Sequence, residues 1–303
     1  MSDIKLFKID NNSVTQLQSK SADLEKSLQT HIENNLETFL GVRFLASEYS
    51  TGKTHRGRID TLGIDENNGP VIIEYKRAIS QNLITQGLFY LDWLLDHKAE
   101  FKLLVMEKLG KEAAESIEWK FPRLLCIAND FTKYDSYAVQ QMNRNIELIK
   151  YRKFDDNLLM LELVNVVSGQ ETTDDLAESP KTIAAPKSIS EILAEIKPPL
   201  SDRYETLRSF LLALGDDVQE KTLKLYVAFK RIKNFASVQI APQIKTIIVY
   251  AKVNPDSITL ENGFTRDARK FGHYGTGDLE IRIVTDDDLE KAKHLLIKSY
   301  ENN

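Results

Sequence analysis

Three residues of this 303-residue chain have types and spacing that chemistry could use: Asp60, Glu74 and Lys76. Asp60 lies in Gly57-Arg58-Ile59-Asp60-Thr61-Leu62-Gly63-Ile64-Asp65. Glu74 and Lys76 lie in Val71-Ile72-Ile73-Glu74-Tyr75-Lys76-Arg77, with Asn67-Asn68-Gly69-Pro70 between the two runs. Apolar runs around such a turn cluster predict an antiparallel hairpin. Side chains alternate along a strand, so Glu74 and Lys76 share a face with Ile72, and Val71, Ile73 and Tyr75 take the other. Any register in which paired residue numbers sum to an even value puts Asp60 on that face too, about 5–8 Å from Glu74. Two carboxylates at that spacing suit one hard divalent cation, Mg²⁺ or Mn²⁺, which also takes water and phosphate oxygens. An ammonium beside them can orient or deprotonate a water and stabilise charge at phosphorus. A Glu74–Lys76 salt bridge at a sheet surface would use the same residues without any chemistry, so the neighbouring elements must decide.

Ser21 to Leu40, closed by Gly41, predicts a helix whose stripe is Leu24, Leu28, Ile32, Leu36, Phe39 and Leu40. On its wheel Glu25 falls inside the stripe, and Glu33 and Glu37 fall outside it. An acid that faces a core needs a partner or a metal, whereas a first-turn acid can simply favour the helix dipole. Val42 to Tyr49 predicts a strand. Ser50-Thr51-Gly52-Lys53-Thr54 then ends like a phosphate-binding loop, but Ser47 stands where the first glycine is needed and a strand follows in place of a helix, which excludes nucleotide binding there. Lys53, His55, Arg56 and Arg58 cluster beside the hairpin and Arg77 follows it, so these cations are candidates for holding a DNA backbone. From Ser80 to about Asp96 a helix is predicted with Leu83, Gly87, Leu91, Leu94 and Leu95 inward. Gln86 and Tyr90 lie one turn apart on its flank, with Trp93 close by. Helices 99–109 and 112–117, strand 123–128, helix 132–144 and strands 146–154 and 158–166 complete a mixed sheet flanked by helices, and residues 1–18 predict a leading hairpin.

The pattern Asp60-x13-Glu74-x-Lys76 resembles the motif of the PD-(D/E)XK nuclease superfamily. More closely, the hairpin is similar to the nuclease domain of archaeal NucS-like endonucleases, where a helix carrying Gln and Tyr follows. Ile59 stands where the motif has proline, a place that varies in the superfamily. The resemblance implies an α/β fold, restriction-endonuclease-like, over residues 1–167. It implies that Asp60 and Glu74 ligate Mg²⁺ or Mn²⁺, that Lys76 is the catalytic lysine, that Glu25 is the helix glutamate at the site's edge, and that Gln86 and Tyr90 lie near the centre. The activity implied is metal-dependent hydrolysis of DNA phosphodiester bonds, in repair or defence. The alternative is a catalytically silent nuclease fold used for nucleic-acid binding or protein interaction.

Residues 168–187 are polar, acidic and Pro-punctuated, a linker by composition. Residues 188–303 predict a small α+β C-terminal domain, with helices 188–196, 202–214 and 287–300 and strands 223–229, 236–240, 244–249 and 279–283. It resembles an uncharacterised C-terminal module sometimes labelled a predicted transport protein. Lys224, Lys230, Arg231 and Lys233 interleave with Tyr226, Phe229 and Phe235, and Arg266, Arg269, Lys270, His273 and Tyr274 fall between Gly263 and Gly277. Such mixtures suit a phosphate-and-base surface or an ordinary half-exposed strand and loop. With 42% hydrophobic and 28% charged residues the composition is that of a soluble globular protein. The single cysteine, Cys126, excludes a disulfide framework or cysteine zinc site within one chain, and the five histidines lack zinc-ligand spacing. No apolar run approaches the ~18 residues of a membrane span and no signal-type stretch opens the chain, so a cytoplasmic protein without membrane contact is expected. At a net charge of −5, DNA, the expected partner, must be met by local patches and a metal. The sequence leaves open whether cutting requires a homodimer.

Overall fold

The computed structural model describes residues 4–11, 13–20, 25–76, 82–120, 122–155, 157–167 and 187–303. It divides the chain into two units, Met1–Thr172 and Thr173–Asn303. The expected linker lies outside the described residues except for Lys187. In the first unit β1 (Leu6–Asp10) and β2 (Ser13–Leu17) form the leading antiparallel hairpin, Asp10 opposite Ser13, with its side chains almost all exposed. After β3 (Ser19–Lys20) the predicted long helix is two helices, α1 (Glu25–Glu33) and α2 (Leu36–Leu40). The break falls at Asn34 and Asn35, where Asn35 leaves helical geometry at φ −135°, ψ 32° and asparagine is a weak helix former. Gly41, left-handed at φ 62°, closes α2 with its N–H on Glu37 O.

There follow β4 (Val42–Ser50), α3 (Gly52–His55), β5 (Arg58–Asp65), β6 (Pro70–Lys76), α4 (Leu83–Asp96), α5 (Lys98–Leu109), α6 (Lys111–Glu115), β7 (Arg123–Ala128), α7 (Lys133–Gln140), β8 (Asn145–Phe154) and β9 (Leu158–Val167). The strands form one sheet in the order β3-β8-β7-β6-β5-β4, with β9 also on β8. β4, β5 and β6 pair antiparallel, and β6, β7 and β8 run parallel. This mixed sheet flanked by helices is the α/β architecture expected. β7 is buried at every position and β6 at all but Lys76, as befits parallel strands covered on both faces. On one face Ile72, Leu124, Cys126 and Leu148 form a core with Leu83, Ile84, Leu91 and Leu94 of α4, so Cys126 is a core filler. At the far end of the hairpin Arg123 lies buried between Asp65 (3.0 Å) and Glu147 (2.8 Å). Asp65 also accepts the N–H groups of Asn67 and Gly69, so the turn and the ion triad hold the hairpin's register together.

The second unit contains α8 (Ile189–Glu195), α9 (Leu200–Leu212), β10 (Gln219–Thr222), β11 (Val227–Lys230), β12 (Asn234–Ala241), β13 (Thr246–Ala251), β14 (Thr265–Asp267), β15 (Leu279–Ile283) and α10 (Asp286–Glu301). Capping boxes, Ser188 with Glu191 and Thr285 with Asp288, start α8 and α10. The sheet order is β10-β11-β12-β13-β15-β14, antiparallel throughout. Val227, Phe229, Val238, Val249 and Ile281 pack with Leu207, Leu211, Leu289 and Leu296 of the helices. Two expectations are corrected here. The strand predicted over 223–229 is the end of a hairpin, β10 and β11 joined by a turn, and Phe229 and Phe235 are fully buried core, unavailable for stacking on a base. Among the described residues no helix is long and apolar enough to cross a membrane.

Candidate active site

The register of the central hairpin pairs Thr61 with Ile73, Leu62 with Ile72, Gly63 with Val71 and Ile64 with Pro70. Each pair sums to an even number, so Asp60 and Glu74 stand on one face. The ladder ends at Thr61 and Ile73, because beyond it side chains replace backbone acceptors. Glu74 Oε1 accepts the Asp60 N–H at 3.1 Å, and Asp60 Oδ2 accepts the Tyr75 N–H at 3.0 Å. Each carboxylate therefore caps the opposing strand, and the strands separate around the pair.

Helix α4 completes the arrangement. Gln86 Nε2 donates to Glu74 Oε2 and to the Tyr90 hydroxyl, both at 3.2 Å, and that hydroxyl accepts the Arg58 N–H at 3.1 Å. A Cβ at Gly57 would lie 2.4 Å from a Tyr90 ring carbon, so glycine there lets β5 approach the ring. Glu74 is 1% exposed, and Asp60, Lys76 and Gln86 are half-buried around it. Burial, then the charge of Asp60, push the Glu74 carboxyl from its ordinary 4.5 up to about 9, against the pull of the Asp60 N–H and of Lys76. A cation between the two carboxylates would reverse that balance. The donor set is two hard carboxylates, a set that fits Mg²⁺ or Mn²⁺ sharing its remaining positions with water and phosphate. Among the described residues no group of three or more His, Cys, Asp or Glu has metal-holding geometry.

Of the other expected site residues, Arg58 is exposed with its Nε 2.5 Å from Glu48 Oε2, so its charge is already committed. Arg56, exposed, ends the one-turn helix α3 at φ 49°. Glu25 opens α1 and Lys53 lies in α3, but their side chains are outside the described residues, as is Arg77 altogether.

Two residues that sequence reasoning passed over belong to the site's surroundings. Glu48 adopts a left-handed φ of 54° between the pairs Ser47–Thr61 and Tyr49–Ile59, level with Asp60. Lys26 Nζ meets its Oε1 at 2.6 Å, and this hydrogen bond outweighs burial to hold the Glu48 carboxyl below its ordinary range. Gln29, buried on α1, donates to Asp60 O at 2.8 Å and so anchors the backbone of the first carboxylate. Glu33, on the polar side of the wheel, accepts the Thr61 hydroxyl at 2.6 Å on the sheet face opposite the carboxylate pair. The α1 flank carrying Gln29 and Glu33 is what meets the hairpin, a contact that the count along the helix could have suggested from their i, i+4 spacing.

Comparison with known proteins adds little chemistry. Residues 189–303 match the family described as "Domain of unknown function (DUF5655)". An uncharacterized protein of Haemophilus influenzae (strain ATCC 51907 / DSM 11121 / KW20 / Rd) is 28% identical over 301 residues, covering 97% of this chain and 98% of that protein. The solved "Structure of EndoMS-dsDNA2 complex" is similar at 14% identity with a TM-score of 0.25, over 48% of this chain and 64% of that one. This chain thus spans less than two thirds of that structure's chain. The likeness is too slight to assign a role to any residue.

Proposed function

We propose that the first unit is a Mg²⁺- or Mn²⁺-dependent nuclease that hydrolyses DNA phosphodiester bonds, of repair or defence type. The observation that carries this reading is the cross-capped pair Asp60 and Glu74, two like charges brought together at a buried sheet position with Lys76 on the same face. Two carboxylates held this close repel unless a proton or a cation lies between them. Asp60 and Glu74 hold the cation. When bound, a divalent cation supplies Lewis acidity, making water a better nucleophile and neutralising charge on the phosphate. Lys76 orients the attacking water and offsets charge at phosphorus. Gln86 fixes Glu74 through its second oxygen, Tyr90 fixes Gln86, and Gln29 fixes the Asp60 backbone. Glu25 serves as the helix glutamate of the site, Lys53, Arg56 and Arg77 receive the DNA backbone, and Arg58 does so by exchanging its Glu48 partner for a phosphate.

The test is cleavage of plasmid and oligonucleotide DNA with Mg²⁺, Mn²⁺ or EDTA. Cleavage is expected only with a divalent cation, and ~10²-fold or greater loss is expected in Asp60→Ala and Lys76→Ala. Undiminished cleavage in either variant defeats the site assignment. DNA binding without cleavage under any cation would mark the silent nuclease fold.

A further inference from the structure

The second unit has its own charged, buried site, on the sheet face turned away from its helices. Leu279, Ile281 and Ile283 of β15 point into the core, so Glu280 and Arg282 take the other face, with Tyr250 paired opposite Glu280 on β13 and Arg266 opposite it on β14. Glu280 is only 1% exposed. Arg282 Nε donates to its Oε1 at 2.8 Å, and Arg266 Nη2 and the Tyr250 hydroxyl (3.2 Å) donate to its Oε2. Two guanidiniums on one carboxylate leave one positive charge over. The Arg266 and Arg282 side chains remain 45% and 42% exposed, and their other side-chain N–H groups have no acceptor among the described residues. Arg266 is also fixed against the Phe271 ring, 4.5 Å from its centroid. The buried carboxylate thus spreads and orients two forks whose outer donors face solvent.

The loop over this face is built and not merely draped. The His273 ring lies flat on Tyr250, centroids 4.0 Å apart at 7°. Gln239 Nε2 donates to Tyr274 O at 3.1 Å, and the Thr276 N–H to Ser237 Oγ at 3.1 Å. At Gly275, φ 81°, a Cβ would come within 2.4 Å of Ser237. Beneath the loop two buried polar atoms, His273 Nδ1 and Thr276 Oγ1, have no partner among the described residues. On its outer side Phe271 and Tyr274 are 54% and 55% exposed. Arg269, by contrast, spends its fork on Asp256 and Asp267 and has little left for a ligand.

We propose that Arg266 and Arg282, oriented by Glu280, form a nucleotide-phosphate site whose base-stacking surface is the exposed rings of Phe271 and Tyr274. Guanidinium forks match phosphate oxygens, and any base can stack on an aromatic ring. The same chemistry serves a free nucleotide or the backbone of a single strand. The site is independent of cleavage by the first unit, because it needs neither metal nor reaction.

The test uses the full chain in EDTA, titrated with inorganic phosphate, with AMP and with fluorescein-labelled oligothymidylate. Expected is binding of AMP or the oligonucleotide that weakens as salt rises. About tenfold loss is expected in Arg266→Gln and in Arg282→Gln, and Tyr274→Ala should weaken AMP and oligonucleotide but not phosphate, whereas Phe271→Ala, which also releases Arg266, should weaken all three. Single arginine variants take one of three side-chain donors from the buried Glu280, so the double variant Arg282→Gln/Glu280→Gln, verified by thermal melting, is measured beside them and is expected to show the same loss. Preference for AMP identifies a free nucleotide and preference for the oligonucleotide a polynucleotide, and either supports the site. Absence of binding by the folded wild type, or binding unchanged in the folded double variant, overturns it.

Discussion

Glu74 is the residue on which the carboxylate pair turns. Its carboxyl, near 4.5 in an unfolded chain and about 9 here, binds a proton in the folded state that the unfolded state has released. Between those values the folded protein holds more protons than the unfolded one, so the contribution of Glu74 to stability falls as pH rises from 4.5 towards 9 and levels off above. Metal-free melting curves of wild type and Glu74→Gln should therefore converge or cross in that direction, and a difference that is flat in pH would contradict the burial of the charge. Added Mg²⁺ should raise the wild-type melting temperature more at pH 9 than at pH 6, since the cation competes with that proton. Tyr90→Phe removes one acceptor for the Arg58 N–H and one partner of Gln86. Its expected cost is about 1 kcal/mol in stability, with a fall in cleavage rate readable in the same oligonucleotide assay. A Tyr90→Phe enzyme of full activity would reduce this side chain to packing.

At the scale of elements, the site depends on how closely α4 sits on β7. A Cβ at Gly87 would meet Leu124 Cδ1 at 2.5 Å and Cδ2 at 2.7 Å within the buried core. Gly87→Ala should cost about 1–3 kcal/mol by overpacking and lower cleavage as well, because α4 carries Gln86 one residue away. Denaturant midpoints and initial rates read the two effects separately. Arg123→Ala leaves Asp65 and Glu147 buried without their cation, and a loss of about 3–5 kcal/mol is expected in urea unfolding. Much of this architecture was legible in the sequence, since strict alternation over 57–65 and 71–77 fixes which side chains share a face. Glu48 was not legible, because a left-handed residue within a strand breaks the alternation that the reading relies on. The helix wheel carried one straight axis through Asn34 and Asn35, where the chain turns, and it weighed only acids, so it passed over Gln29, one turn on from Glu25, which bonds the Asp60 backbone. In the second unit aromatic residues among lysines looked like a surface, yet Phe229 and Phe235 close a core, since charge at neighbouring positions says nothing of which face of a strand is covered. Arg282 escaped notice for the converse reason, being a lone cation in an apolar strand whose partner is the adjacent Glu280.

For the molecule as a whole, each unit owns a hydrophobic core, one centred on β5 to β8 with α4, the other on β11 to β15 with α9 and α10. Calorimetry should resolve two unfolding transitions. Leu207→Ala, in the second core, is expected to lower only one of them, by about 2–5 kcal/mol, and a single transition displaced as a unit would show that the two cores are coupled. With a net charge of −5 the chain as a whole repels a polyanion, which puts recognition on local arrangements such as Asp60 with Glu74 and Arg266 with Arg282. Any global measurement of cation binding on such a chain mixes contributions from both units. The crossed caps of the hairpin offer a way around this. The amide protons of Asp60 and Tyr75 point at the very oxygens that a cation would claim, so their two resonances in a ¹⁵N correlation spectrum form an internal gauge of occupancy, readable without substrate or turnover and silent to events in the second unit.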